Sequence, residues 1–289
     1  MSSTPHFLFK LGAVGVTALL LSAATAPAQA ATSPAVNQAL EAAAHGSWRT
    51  PKNMERDKYR HPVQTLEFFG IRPDMTVIEV LPGGGWYTDI LAPFLQDHGQ
   101  LIEAEAPVVG TMGFMHDGAV RYRQKLAANP VVFGKVQLTP FVLPDYMHLG
   151  APDTADMVVT FRNVHDMIFE NVHGMTSDAE LQSFLRSAYT VLKPGGVLGI
   201  EEHRASPDMP LAEAFKLARV NQAYLIQEAE IAGFKLGGTS ELNANPKDSR
   251  KEAVFFFPPE LDPASGNTAK YAALGEADNL LVQLVKPKI

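Results

Sequence analysis

The stretch Thr76–Thr88, TVIEVLPGGGWYT, constrains the fold of this chain more than any other. Thr76, Val77 and Ile78 are β-branched and lead into Glu79 and Val80, which is the pattern of a buried strand. Pro82 and the consecutive Gly83, Gly84 and Gly85 break it. After Trp86, residues Ile90, Leu91 and Phe94 share one helical face, with Pro93 limiting the helix. Strand, glycine turn and helix in that order expose backbone N–H groups to a ligand at the carboxyl end of a strand. Glycine serves there because a Cβ would block either the turn or the ligand. A bare turn needs fewer than three glycines, so the stretch predicts a ligand cradle. No Lys-Ser or Lys-Thr follows, which excludes a nucleotide-hydrolase phosphate loop. Glu79 inside the strand end suits a cationic or hydroxyl-bearing ligand better than a pyrophosphate.

The same unit recurs down the chain. Gln100–Ala104 reads as a second strand closed by Glu105, a carboxylate placed to accept two hydroxyl hydrogen bonds from a ribose. Glu103 shares its facing, since strands have a period of two. Further strands are expected within Val131–Thr139, at Met157–Phe161 and at Val197–Glu201, with helices over Thr88–Leu95, Ala119–Ala128 and Thr176–Leu192. Beyond them come a helix at Gln222–Ile231, a strand beginning at Phe234–Leu236, and strands at Ala253–Phe257 and Asn279–Val285. Pro258–Leu274 reads as a mobile excursion. The pattern predicts one doubly wound α/β domain with a strand-rich tail.

Composition narrows the function. At 289 residues, 46% apolar and 19% charged, the chain suits one well-cored domain with appendages. A net charge of -7 with no basic stripe argues against a nucleic-acid partner. Residues 1–30 have the form of a signal peptide: Lys10, the apolar run Leu11–Ala24, then Ala28-Gln29-Ala30 as a small-x-small cleavage site. The run is short for a bilayer span, so export to a periplasm-like compartment is expected, without a stable membrane anchor. Residues 31–62 are expected to form a linker with a short helical extension, and 63–289 the main domain. There is no cysteine, which excludes disulfides, thiolate catalysis and cysteine metal sites.

Two strand ends carry polar groups where an α/β sheet places its site: Arg162-Asn163-Val164-His165-Asp166 and Glu201-Glu202-His203-Arg204. His165 is the best candidate base and His203 the second, because imidazole titrates near neutrality. Asn163 is placed to orient a ligand amine or carbonyl, and Trp86 and Tyr87 to cover a ligand. His61, His116, His148 and His173 add to the histidine count, but no HExxH-like spacing occurs and no metal site is assigned.

VIEVLPGGGWYT (77–88), GQLIEAE (99–105), DMVVTFRNVHD (156–166), LKPGGVLGIEEHR (192–204) and AEIAGFKL (229–236), in this order, resemble the class I S-adenosylmethionine-dependent methyltransferases. More narrowly, the PGGGWYT, FRNVH and EEHRA segments are similar to a group of exported methyltransferase-like proteins. The resemblance implies a Rossmann-like three-layer α/β/α sandwich with a seven-stranded, mostly parallel sheet and an antiparallel last strand. It implies S-adenosyl-L-methionine as cofactor, with Glu79, Gly83, Gly85 and Glu105 at the positions that hold it and Arg162, Asn163 and His165 in the region that faces the methyl group and a small-molecule acceptor. By their place in the chain, Pro82, Gly84 and Tyr87 are expected to complete the cofactor cradle and His203 the acceptor side. Leu81 stands where the family's loop has its first glycine, so a side chain there is expected to narrow the pocket. The alternatives are a non-catalytic exported binding protein that keeps the fold and, behind it, a metal-dependent hydrolase.

Overall fold

The computed structural model describes residues 33–170 and 176–288. The leader expected over residues 1–30 and His173 lie outside them.

Seven strands make the main sheet: β1 (Thr76–Val80), β2 (Gln100–Glu105), β3 (Gln137–Pro140), β4 (Ala155–Phe161), β5 (Leu192–His203), β6 (Lys235–Ser240) and β7 (Asn279–Val285). Their order is β3-β2-β1-β4-β5-β7-β6. The pairs β1–β2, β1–β4, β2–β3 and β4–β5 are parallel, and β7 runs antiparallel to both β5 and β6. The chain reverses direction of winding between β1 and β4, the point at whose carboxyl ends open α/β sheets bind their ligands.

Alternation along the strands divides the core. Ile78 and Val80 join Val158, Leu198 and Ile200 under α5 (Ala179–Val191) and α6 (Gln222–Ile231). Val77 joins Met157, Val159 and Phe161 under α1 (Pro34–Ala44), α2 (Pro62–Phe69) and α3 (Thr88–Leu95). Both faces are covered, as parallel strands require. Helix α4 (Gly113–Ala128) follows β2. In α3, Pro93 leaves the carbonyl of Asp89 without its helical donor, and the Trp48 indole N–H fills it at 2.7 Å. The helix therefore continues through its proline to Leu95.

Residues 48–61 lie against the domain. Arg56 and Arg60 each donate through Nε to the buried Glu276 carboxylate, at 2.6 and 2.8 Å, and Arg162 approaches it at 3.4 Å. Trp86 is flanked by the guanidinium groups of Arg49 and Arg60 at 4.9 and 4.8 Å.

Two expectations are corrected. Ala253–Phe257 is not a strand. Val254–Phe256 is a 3-10 turn, with Val254 and Phe257 buried three residues apart beside Tyr271. The hairpin partner of β7 is β6 instead. The strand expected within Val131–Thr139 is β3, which begins at Gln137 after a helical turn over Pro130–Phe133. Pro258–Leu274 carries its own structure, including a helix over Thr268–Leu274 that buries Tyr271. The Lys193–Gly196 turn survives as a bulge at the start of β5: Ala155 pairs with Leu192 and Met157 with Val197. No helix among the described residues is long and apolar enough to cross a membrane.

Candidate functional site

The glycine turn connects β1 to α3. Leu81, the departure from an all-glycine pattern, adopts φ 55°, the left-handed conformation glycine would take. In a non-glycine residue this costs about 1–2 kcal/mol. Two hydrogen bonds hold it: Leu81 N–H donates to Ala104 O at 2.9 Å, and the Asn163 amide donates to Leu81 O at 3.1 Å. The Leu81 side chain packs against the apolar cluster of the α5–α6 face. It does not narrow the turn as expected, because the side chain joins the core.

Gly83 (φ 57°) and Gly84 are exposed, and a Cβ built on either meets nothing within 4 Å. Among the described residues their N–H groups have no hydrogen-bond acceptor. Gly85 differs: at φ 73° its Cβ would lie 2.7 Å from Lys125 Nζ and 2.9 Å from the Tyr122 ring. Lys125 Nζ donates to Gly84 O at 2.9 Å and Gly85 O at 2.5 Å, and pairs with Asp89 at 2.7 Å. Lys125 thus ties down the carbonyl side of the turn and leaves its N–H side open. No local pattern marks this role, since the lysine lies 40 residues downstream of the loop.

Beneath the turn, Glu79 accepts from the Thr88 hydroxyl at 3.0 Å, which also contacts the Tyr122 hydroxyl at 3.0 Å. Burial pushes Glu79 up to about 7, against the pull of Glu103, Thr88 and Lys125. Glu79 is 2% exposed, so it supports the cradle from below. Glu105 closes β2 at 8% exposure, and burial pushes it up to about 7 while Arg123 draws it down.

Two expected ligand contacts have other partners. Tyr87 is 1% exposed, stacks on Phe161 at 3.4 Å and donates its hydroxyl to Glu201 at 2.9 Å. Its ring is thus turned into the sheet. Asn163 donates its amide to the carbonyls of Val80 (3.2 Å) and Leu81 and to Thr160 Oγ1, so it braces the turn.

His165 and His203 come together with ring centroids 5.6 Å apart. His165 Nδ1 lies 2.9 Å from Glu202 Oε1. Burial disfavours the charged ring, but the Glu202 carboxylate outweighs it and His165 titrates above its ordinary value. His203 is held well below, by burial and by His165. Glu202 is a residue the sequence reading did not single out for a role, although its place in EEHR marks it as a strand-end carboxylate. Among the described residues no three His, Asp or Glu side chains converge as a metal site.

Two cavities occur away from this edge. One of ≈ 340 Å³ lies between α3 and the amino ends of β2 and β3, lined by Gln96, Gln100 and Lys135. One of ≈ 390 Å³ lies between Met147–Gly150 and α5, beside Arg186. Neither includes a residue of the glycine turn or of the histidine pair.

No protein-family model matches the chain. A curated relative, the ubiquinone/menaquinone biosynthesis C-methyltransferase UbiE of Ectopseudomonas mendocina (strain ymp), is 28% identical over 169 residues, covering 58% of this chain. The matched region spans 55% of the relative's length. Among solved structures, a SAM-dependent methyltransferase from Aquifex aeolicus is similar at 17% identity and TM-score 0.51, over 80% of this chain and 93% of that one. The 4+2 cyclase SpnF is similar at 16% identity and TM-score 0.53, over 85% of this chain and 84% of that one. Together with the strand order β3-β2-β1-β4-β5-β7-β6, these likenesses show that the chain has the fold of the class I S-adenosylmethionine-dependent methyltransferases.

Proposed function

We propose that the chain binds S-adenosyl-L-methionine at the β1–α3 turn and transfers its methyl group to a small molecule. The observation that carries this reading is the open N–H side of Gly83 and Gly84, kept clear because Leu81 takes the left-handed conformation and sends its side chain into the core. Those N–H groups would meet the amino-acid end of the cofactor, and Glu105, once ionised, would accept its ribose hydroxyls. When bound, the cofactor supplies a methyl group already activated by a sulfonium. What remains for the protein is alignment and proton removal. Asn163 and Lys125 fix the turn from its two sides. His165 is the group placed to take a proton. The likeness to UbiE supports methyl transfer; that to a cyclase is a reminder that this fold hosts other reactions.

Calorimetric titration of the purified chain with S-adenosylmethionine and with its demethylated product tests the reading. Saturable binding is expected, and no heat at millimolar ligand would remove it. The exported binding-protein alternative predicts the same binding with no methyl transfer to any acceptor. The hydrolase alternative finds no support in the site's geometry. Under the same proposal residues 1–30 direct the chain out of the cytoplasm, which cell fractionation checks.

A further inference from the structure

Glu202 is completely buried and surrounded by donors. Its Oε2 accepts from the backbone N–H of Val164 at 2.5 Å and of His165 at 3.2 Å. Its Oε1 accepts from His203 N–H at 2.6 Å and faces His165 Nδ1 at 2.9 Å. A carboxylate held this way accepts only, so the hydrogen of a neutral His165 sits on Nδ1 and Nε2 carries a free lone pair. The nearest charged group to Nε2 is Asp166 Oδ1 at 3.6 Å, beyond hydrogen-bond range, on a side chain 62% exposed. The other charged or titratable groups acting on the ring are Glu202, Arg162 and His203. The same turn is tied to the cofactor cradle, because its neighbour Asn163 holds the carbonyls of Val80 and Leu81.

We propose that Glu202 is a positioning residue that presents His165 Nε2 as a base to a hydroxyl-bearing acceptor, a phenol or an enol. This rests on the methyl-transfer reading above and names the acceptor class for it. A neutral amine attacks with a lone pair it already has, and such a base would be idle. A hydroxyl attacks well only as its proton leaves. A phenolic hydroxyl, with a pKa of about 10 as in tyrosine, lies within reach of an imidazole strengthened by a carboxylate. As the acceptor oxygen bonds the methyl carbon, the carbon–sulfur bond breaks with its electron pair left on sulfur. The hydroxyl proton passes to Nε2, and the imidazolium formed faces Glu202.

The test uses the full chain. Ring ¹⁵N NMR of the wild type reads the tautomer without any acceptor: neutral His165 is expected as Nδ1–H, and an Nε2–H tautomer overturns the proposal. Transfer from S-adenosylmethionine is then followed with catechol, ascorbate and benzylamine as probes. Methylation of catechol or ascorbate is expected, with the rate rising with pH through one ionisation. His165→Gln is expected to lower kcat about 100-fold with cofactor Kd unchanged. Glu202→Gln is expected to move the ionisation to lower pH. If Glu202→Gln does not fold, His165→Gln and the wild-type tautomer still decide. Transfer to benzylamine alone, undiminished rates in His165→Gln, or cofactor binding without transfer to either hydroxyl probe overturns the acceptor class and leaves cofactor binding standing. Failure to bind S-adenosylmethionine overturns both.

Discussion

Glu79 and Glu103 stand directly opposite each other on β1 and β2, at 2% and 0% exposure. Burial pushes both carboxyls upward; Glu79 raises Glu103 further, while the hydrogen bond with Glu103 draws Glu79 down, so the proton the pair holds toward neutrality rests mainly on Glu103. An unfolded glutamate releases its proton near 4.5, whereas native Glu79 does so at about 7. Between those values the native state binds more protons than the unfolded one, so stability falls as pH rises through that window. For Glu79 alone the loss is on the order of 3 kcal/mol. Chemical denaturation at about pH 5 and about pH 8 should show it, and Glu79→Gln should remove that part of the difference. An unchanged difference in that variant would mean other groups set the slope.

Adjacent glycines in the turn should respond differently to the same kind of change. A side chain at Gly84 enters open space, so Gly84→Val should alter stability by only about 0.5 kcal/mol. If the cofactor lies there, affinity should fall at least about tenfold. Gly85→Ala instead drives a methyl into Lys125 and Tyr122 at positive φ, with a loss of about 2 kcal/mol or more. Gly83, at φ 57°, mixes the two effects. Thermal melts beside titrations separate them; equal loss of stability and affinity in Gly84→Val would assign that glycine to the turn alone.

Affinity for the cofactor should depend on pH through Glu105. The carboxyl must be ionised to accept from two hydroxyls, and burial raises it to about 7. Binding should therefore tighten from about pH 6 to about pH 8, and Glu105→Gln should flatten the profile while weakening binding by about 1.5–3 kcal/mol at the upper end. A flat wild-type profile would place the ribose elsewhere.

Leu81 offers a test of strain against packing. Leu81→Gly relieves the left-handed penalty but loses a partly buried side chain, and the two effects of about 1–2 kcal/mol should nearly cancel. Leu81→Val keeps an apolar residue but places a β-branch at φ 55°, and should destabilise by about 2 kcal/mol or more. Denaturant midpoints of the two variants give the comparison, and a Val variant as stable as wild type would show that the turn relaxes.

What the sequence disclosed was local. Thr76–Val80 was legible because a β-branched run meets a glycine turn, and β4 because Met157–Phe161 is apolar on both faces. Glu105 could be placed at a strand tip by counting. Ala253–Phe257 looked like a strand by composition, yet tertiary contacts bury Val254 and Phe257 at helical spacing. Lys125 and Glu202 were illegible in their roles for another reason. Each acts on a partner about forty residues away, and only the packing of α4 and the register of β5 bring them there. The assignments of Tyr87 and Asn163 rested on proximity in sequence to the turn. Neither could show that one ring would turn into the sheet and the other amide would be consumed by backbone carbonyls.

The arginine clasp on Glu276 has a practical corollary for anyone trimming this protein. A boundary drawn just before Pro62 would remove Arg56 and Arg60 together, leaving an inward-facing acid from the last quarter of the chain with Arg162 alone to neutralise it. Uncompensated charge of that kind typically destabilises by about 3–5 kcal/mol. A shortened version that aggregates would therefore report a lost counter-ion, not a failed sheet.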